Sequence, residues 1–294
     1  MADTSGEQDI RGINIDKLAK GFADEENVFK KFVTVSKTSA REVRWYSKTA
    51  GFLDTPDTTA ITTSHIPNVA ERAQPFVVEQ SWTRTTSYVK KFFVESPTIS
   101  EEDIRDTDVD ILATNVRDLV RAVARQVDSN IYNTITESQT PVNIQTAAAT
   151  GTGWDDTTTG NPILDILTGK KNLRTYGYNP EGAVIAMDSI AHRDLLNWLI
   201  NVKGSSIPSF SVEKVKSGVV MEILGCNVVV SENVVTDSVA MWIPNRAATW
   251  KQFMPLTSVV ITDPGIGRKI RVWEEGVCLL TDPKAVHLIT DTTT

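Results

Sequence analysis

The chain has 294 residues, 40% hydrophobic and 23% charged, with a formal net charge of −7. A chain of this size and composition buries a core without disulfide or metal staples. Its acidity excludes a protein that grips nucleic acid with its whole surface, so any DNA contact must come from a local basic patch.

Met1–Glu7 is polar and acidic, without the basic and apolar regions of a secretory leader. No apolar run approaches the roughly 18 residues of a membrane span, and the expectation is a protein made and folded in a cytoplasm. Further on, Asp24, Glu25 and Glu26 lead Val28, Phe29, Lys30, Lys31 and Phe32. Leading acids and trailing bases suit the dipole of a short amphipathic helix. This segment has no core of its own and reads as an arm lying on something else. Residues 40–47 read as a strand, and residues 81–94, rich in β-branched and aromatic side chains, as a longer one. About thirty residues with Pro56, Pro67, Pro75 and many threonines separate them, too many for an ordinary hairpin loop. The pattern predicts a two-stranded arm that leaves the body and is ordered mainly by a neighbour.

Pro97 precedes Ser100-Glu101-Glu102-Asp103, which has the form of a helix cap with acids in its first turn. Val109, Leu112, Val116, Leu119, Val120, Val123, Val127, Ile131 and Ile135 then recur at helical spacing. They predict a helix from about 107 to 136, about 45 Å long, without the sustained heptads of a coiled coil. Arg117, Arg121 and Arg125 form a stripe along it, with Asp118 and Asp128 spaced to pair with Arg121 and Arg125. The stripe reads either as a solvated, salt-bridged face or as a contact with another subunit or with phosphates.

Residues 140–161 are a loop by composition. Asn161-Pro162 opens a helix to about Thr175, residues 183–187 form a buried strand, and Asp188 or Ser189 caps a helix carrying Leu195, Leu196, Trp198, Leu199 and Ile200. A loop with Gly204 and Pro208 follows. From Val219 the chain reads as strands over 219–224, 227–231, 238–243, 248–253, 257–262, 269–274, 277–280 and 285–289. Turns at Gly225, Pro244, Pro264-Gly265, Gly276 and Pro283 separate them.

Catalytic signatures are missing from this pattern. His65, His192 and His287 are scattered and fit no zinc-protease spacing. Asp106, Asp108 and Asp110 open like a calcium loop, but the loop's glycine position is Ile111 and its closing glutamate position is Arg117. Gly265-Ile266-Gly267 lacks the third glycine of a dinucleotide fingerprint and follows a turn. Cys226 and Cys278 lie in apolar runs and read as buried free thiols. Trp45, Trp82, Trp242, Trp250 and Trp273 lie in strand-like runs, as core or interface residues do.

The order of these elements resembles the major capsid proteins of tailed bacteriophages, whose fold encapsulins share. The likeness runs from about residue 25 to 290 and is most family-like at residues 182–189, 221–232, 268–277 and 285–289. It implies an α+β chain with the tailed-phage major capsid fold. An N-terminal arm would span 1–40, and an extended β-hairpin loop with its base strands 41–95. A peripheral domain with a long spine helix would span 96–144, and an axial α/β domain 145–255. C-terminal strands would return to the peripheral domain over 256–294.

The resemblance implies a major capsid protein of a tailed double-stranded-DNA phage, self-assembling into hexamers and pentamers of an icosahedral shell around the genome. Catalytic residues, cofactor and metal are not expected. Its partners would be other copies of itself, a portal and packaged DNA contacted non-specifically. The short arm implies a separate scaffolding protein, and a decoration protein fits the scheme; a membrane does not. Its place would be the virion, after assembly in the host cytoplasm. Trp45, Phe76 and Trp82 are expected at loop contacts between subunits, and Arg117, Arg121 and Arg125 toward a neighbour or the lumen. Some members cross-link a loop lysine to an asparagine of a neighbour, but residues 49–89 here contain no lysine and Lys48 stands only at the base. Heterologous, ring-closing contacts must then hold the shell non-covalently, burying on the order of 2,000–5,000 Å². Two rival readings are an encapsulin-type compartment with an enzyme cargo, and an α+β hydrolase or sugar-binding module with an unrecognised site.

Overall fold

The computed structural model describes residues 28–48, 69–74, 82–106, 111–137, 144–201 and 222–293. Of the segment read as a short amphipathic helix, Asp24, Glu25 and Glu26 lie outside the described residues, and Phe29–Phe32 makes a single 3-10 turn. Phe29 is fully buried against Tyr132 and Trp242, with ring centroids at 5.6 and 5.8 Å. Packing, not local periodicity, sets the backbone there. β1 (Thr34–Lys37) follows, then β2 (Glu42–Lys48) and β3 (Trp82–Tyr88). The strand expected over 81–94 is two strands, β3 and β4 (Lys90–Glu95). They part at Val89, whose N–H donates to the Arg41 carbonyl at 2.9 Å. The break has a packing reason: β3 pairs with β2, whereas Phe92 and Val94 of β4 lie against the core.

β5 (Ile99–Ser100) leads into α1 (Glu101–Asp106), where Ser100 Oγ accepts the Asp103 N–H at 3.0 Å as the expected cap. α2 (Ile111–Thr136) is the long helix. Residues 107–110, and with them most of the calcium-like run, lie outside the described residues. Leu112, Val116, Val120, Val123, Val127, Ile131 and Ile135 are its buried face, as the spacing requires.

β6 (Gln145–Ala148) is a strand inside what composition reads as loop. α3 (Pro162–Thr175) starts with the Asn161 side chain accepting the Leu164 N–H at 3.2 Å and proline in the first turn. β7 (Val184–Met187) is wholly buried. α4 (Ser189–Asn201) is capped by Asp188, whose Oδ1 accepts the Ala191 N–H at 2.7 Å. β8 (Glu222–Ile223), β9 (Cys226–Val230) and β10 (Ser238–Trp242) follow, then β11 (Thr249–Asp263), β12 (Gly267–Leu279) and β13 (Val286–Thr290). Four of the short strands expected here are thus two long ones. Gly276, expected at a turn, lies inside β12 because the Trp250 ring covers it; a Cβ there would sit 2.4 Å from the ring.

A five-stranded sheet runs β1-β11-β12-β4, with β5 on β12, and a six-stranded sheet runs β6-β13-β10-β7-β9-β8. β2 and β3 form a separate ribbon. β13 pairs with β10 and β6 in the six-stranded sheet, not with the strands just before it. His287 on β13 and Met241 on β10 face Gly169 of α3, and this apolar fit holds β13 there. α2 lies against β4, β12 and the Phe29 turn.

Candidate assembly surfaces

Alternation along the β2–β3 ribbon sorts its side chains onto two faces. On one, Trp45 is 7% exposed and its Nε1 donates to Ser87 Oγ at 2.9 Å. Ser47 beside it is buried. The Lys48 N–H donates to the Thr281 carbonyl at 3.0 Å, which fastens the ribbon's root to its own subunit. On the other face Tyr46, Trp82 and Tyr88 are 57, 52 and 67% exposed. The register places Tyr46 opposite Arg84 and Trp82 opposite Lys48, and Arg44 bonds Glu42 at 3.1 Å. This face offers large apolar area with cations between, the composition of interface anchors. Of the three loop residues singled out by sequence, Trp82 lies on this outer face and Trp45 on the inner one; Phe76 lies outside the described residues. Tyr46 and Tyr88 were missed, although the alternation of residues 42–48 with 82–88 carried the signal.

The N-terminal segment crosses α2. Asp128, fully buried, accepts the N–H groups of Val28 and Lys30 at 2.6 and 3.3 Å. The pairing of Asp128 with Arg125 expected from their spacing therefore does not form: the carboxylate is turned inward to the segment's backbone. Burial pushes its carboxyl above the ordinary range, against the pull of those N–H groups and Lys30. Lys30 Nζ reaches Glu274 at 2.5 Å, and β1 adds to β11 in parallel register.

Arg117, Arg121 and Arg125 share the exposed face of α2. Asp118 pairs with Arg117 at 3.7 Å instead of the expected Arg121. Ile266, at the turn between β11 and β12, is 65% exposed.

Among the described residues no chemical machinery is assembled around these surfaces. A groove on α3 is lined by Leu167, Lys170, Lys171, Arg174 and Thr175, but Lys170 and Arg174 both bind Glu181, at 3.1 and 3.2 Å. Among the described residues no group of His, Cys, Asp and Glu could hold a metal ion, and none of their helices is long and apolar enough to cross a membrane. Both cysteines are free and buried, and burial pushes the Cys278 thiol up to about 12, so it is no nucleophile at neutral pH. His287 is fully buried, with neither ring nitrogen hydrogen-bonded. Of the other histidines, His192 lies on α4 and His65 outside the described residues.

The profile of the family described as phage capsid protein matches residues 88–289, more than half of the chain. No curated protein sequence matches it. Among solved structures, the chain is similar to the capsid of cyanophage P-SCSP1u at 12% identity, covering 90% of this chain and 88% of that one with a TM-score of 0.66. It is also similar to a structure from Mycobacterium phage Che8, at 15% identity, 91 and 92% coverage and a TM-score of 0.63. A virus-like particle from Pyrococcus furiosus matches at 9% identity, 94 and 98% coverage and a TM-score of 0.63.

Proposed function

Because the chain belongs to the phage capsid protein family, a structural component of the virion, we propose that it is the major capsid protein of a tailed double-stranded-DNA phage. Its copies close into hexamers and pentamers of an icosahedral shell around the genome, without catalysing a reaction. The observation that carries this reading is the ribbon: its root is bonded to its own subunit while Tyr46, Trp82 and Tyr88 stand more than half exposed. Such a face belongs against another subunit.

In this reading α2 and the five-stranded sheet form the peripheral domain. The six-stranded sheet with α3 and α4 forms the axial domain, which points at capsomer centres. The pairing of β13 with β10 and β6, and of β11 with β12, supports grouping β13 with the axial unit and β11 with the peripheral one. Trp82 meets the neighbour directly, with Phe76 of the intervening loop, and Trp45 acts by stiffening the ribbon. The arginine stripe of α2 faces a neighbour or the lumen. Assembly takes place in the host cytoplasm with a separate scaffolding protein, a portal completes the shell, and the net charge of −7 keeps the inner wall from gripping DNA too tightly to release it.

The test is electron microscopy of the chain expressed alone and with its genomic neighbours, beside a variant lacking residues 50–79. Shells, tubes or five- and six-membered rings from the full chain, and folded subunits without shells from the deletion, support the reading. A stable monomer even with a scaffolding partner overturns it. The likeness to a virus-like particle makes an encapsulin-type compartment the second reading, and nuclease-protected DNA in purified particles separates the two.

A further inference from the structure

Two neighbouring residues of β12, Glu274 and Glu275, point to opposite faces of the five-stranded sheet and are 0 and 4% exposed. On the α2 side Glu274 bonds Lys30 of the N-terminal segment at 2.5 Å. On the outer side Glu275 faces Arg41 at 3.4 Å and Lys91 at 3.8 Å. Arg41 is the root of the ribbon: its carbonyl accepts the Val89 N–H where β3 gives way to β4. Its guanidinium also lies 4.8 Å from the centre of the Phe253 ring.

The backbone is irregular at the same place. β11 slips register between Gln252 and Met254 and again between Met254 and Thr257, opposite residues 273–276. Bulges of this kind bend a strand and re-aim its side chains. Gly276 lets the Trp250 ring lie on the strand beside the two acids.

This pair of acids is a poor stability device. Glu274 leaves its Oε2 buried without a hydrogen bond, and Glu275 Oε2 meets Arg41 only as an ion pair at 3.4 Å, without forming a hydrogen bond; a half-satisfied buried charge returns little net stability. Fixing a geometry is the better-attested use of such groups. We propose that Glu274 and Glu275 are positioning residues that set the direction of the two appendages, the N-terminal segment through Lys30 and the ribbon through Arg41, relative to the sheet. The proposal rests on the capsid reading for its consequence: two appendages aimed from one point of β12 give every subunit the same reach toward its neighbours.

The experiment compares the full chain with Glu274→Gln, Glu275→Gln and the charge swap Lys30→Glu/Glu274→Lys. Amide hydrogen exchange of the subunits and diameters of the assembled particles are measured. Losing a charge-assisted bond speeds exchange about tenfold or more in the segment it holds. The expected result is selective: Glu274→Gln loosens residues 29–37, Glu275→Gln loosens residues 42–48, both broaden the particle diameters, and the swap restores residues 29–37. Unchanged exchange in both segments, a uniform loosening of the whole subunit, or particles of normal uniform diameter from both glutamine variants overturns the proposal. Should the unaltered chain form no particles even with a scaffolding partner, the capsid reading fails, and the exchange measurement alone then decides whether the two acids hold the appendages.

Discussion

Val28 donates its backbone N–H to Asp128 Oδ2 at 2.6 Å, although the two residues lie 100 positions apart in the chain. With the Lys30 N–H on the other oxygen, one side chain of α2 holds the N-terminal segment by its backbone. Asp128→Ala strands both N–H groups at a buried site and is expected to cost about 2 kcal/mol. Urea unfolding gives the loss, and protease cleavage within residues 28–37 shows where the chain has come free.

Asp128 also makes a prediction about pH. Its carboxyl is raised by burial, so the folded state binds that proton more readily than the unfolded chain. The stability from this linkage is fully present below the unfolded value of 3.8 and is lost as pH rises through the folded one. Asp128→Asn, which cannot titrate, should flatten that decline in melts taken upward from about pH 4.

His287 runs the other way. Burial lowers it from 6.5 to about 4, with Asp165 opposing. Its contribution is present above pH 6.5 and is lost as pH falls toward 4, by about 3 kcal/mol at most. Neither ring nitrogen has a partner to strand. His287→Leu should therefore match the unaltered chain at neutral pH and surpass it near pH 4.5. Chemical denaturation at a series of pH values checks this, and parallel curves for the two proteins would count against it.

Gly276→Ala places a methyl group into the Trp250 ring. The overpacking should cost about 1–3 kcal/mol. Trp250→Phe in the same chain should recover part of it, because the smaller ring leaves the space open. A double-mutant cycle in urea measures the coupling.

Arg117, Arg121 and Arg125 are exposed, so changing all three to glutamate should leave the subunit folded, each within about 0.5 kcal/mol. Gradient centrifugation and protected-DNA content then show where the stripe faces. Failure to close shells points to a neighbouring subunit, and closed shells with less retained DNA point to the lumen. Normal shells with normal DNA content would remove the stripe from both roles.

Wherever spacing alone decided, the sequence was legible. Val116, Val120, Val123, Val127, Ile131 and Ile135 of α2 lie on its buried face, and the caps at Ser100, Asn161 and Asp188 form as their side chains allow. Contacts across long separations were not legible. Nothing local distinguishes Asp128 from an ordinary surface acid of a helix, because its partners are backbone groups 98 and 100 residues away. Gly276 looked like a turn because no local rule announces a tryptophan ring lying over a strand. β6 was hidden because its partner, β13, is the last strand of the chain. On the outer ribbon face, Trp82 stood out by residue type, whereas Tyr46 and Tyr88 required the register to place them beside it.

β1 pairs in parallel with β11, and β4 and β6 take their partners from β12 and β13. The first half of the chain therefore waits for residues 249–290 to be synthesised before either large sheet can be completed. Such non-local pairing slows folding. It also makes folding a test of completeness: a chain broken off before residue 249 lacks β11, β12 and β13 and has no finished subunit to offer. In the proposed shell such a fragment would find no place, because the surfaces that meet its neighbours rest on sheets it cannot finish.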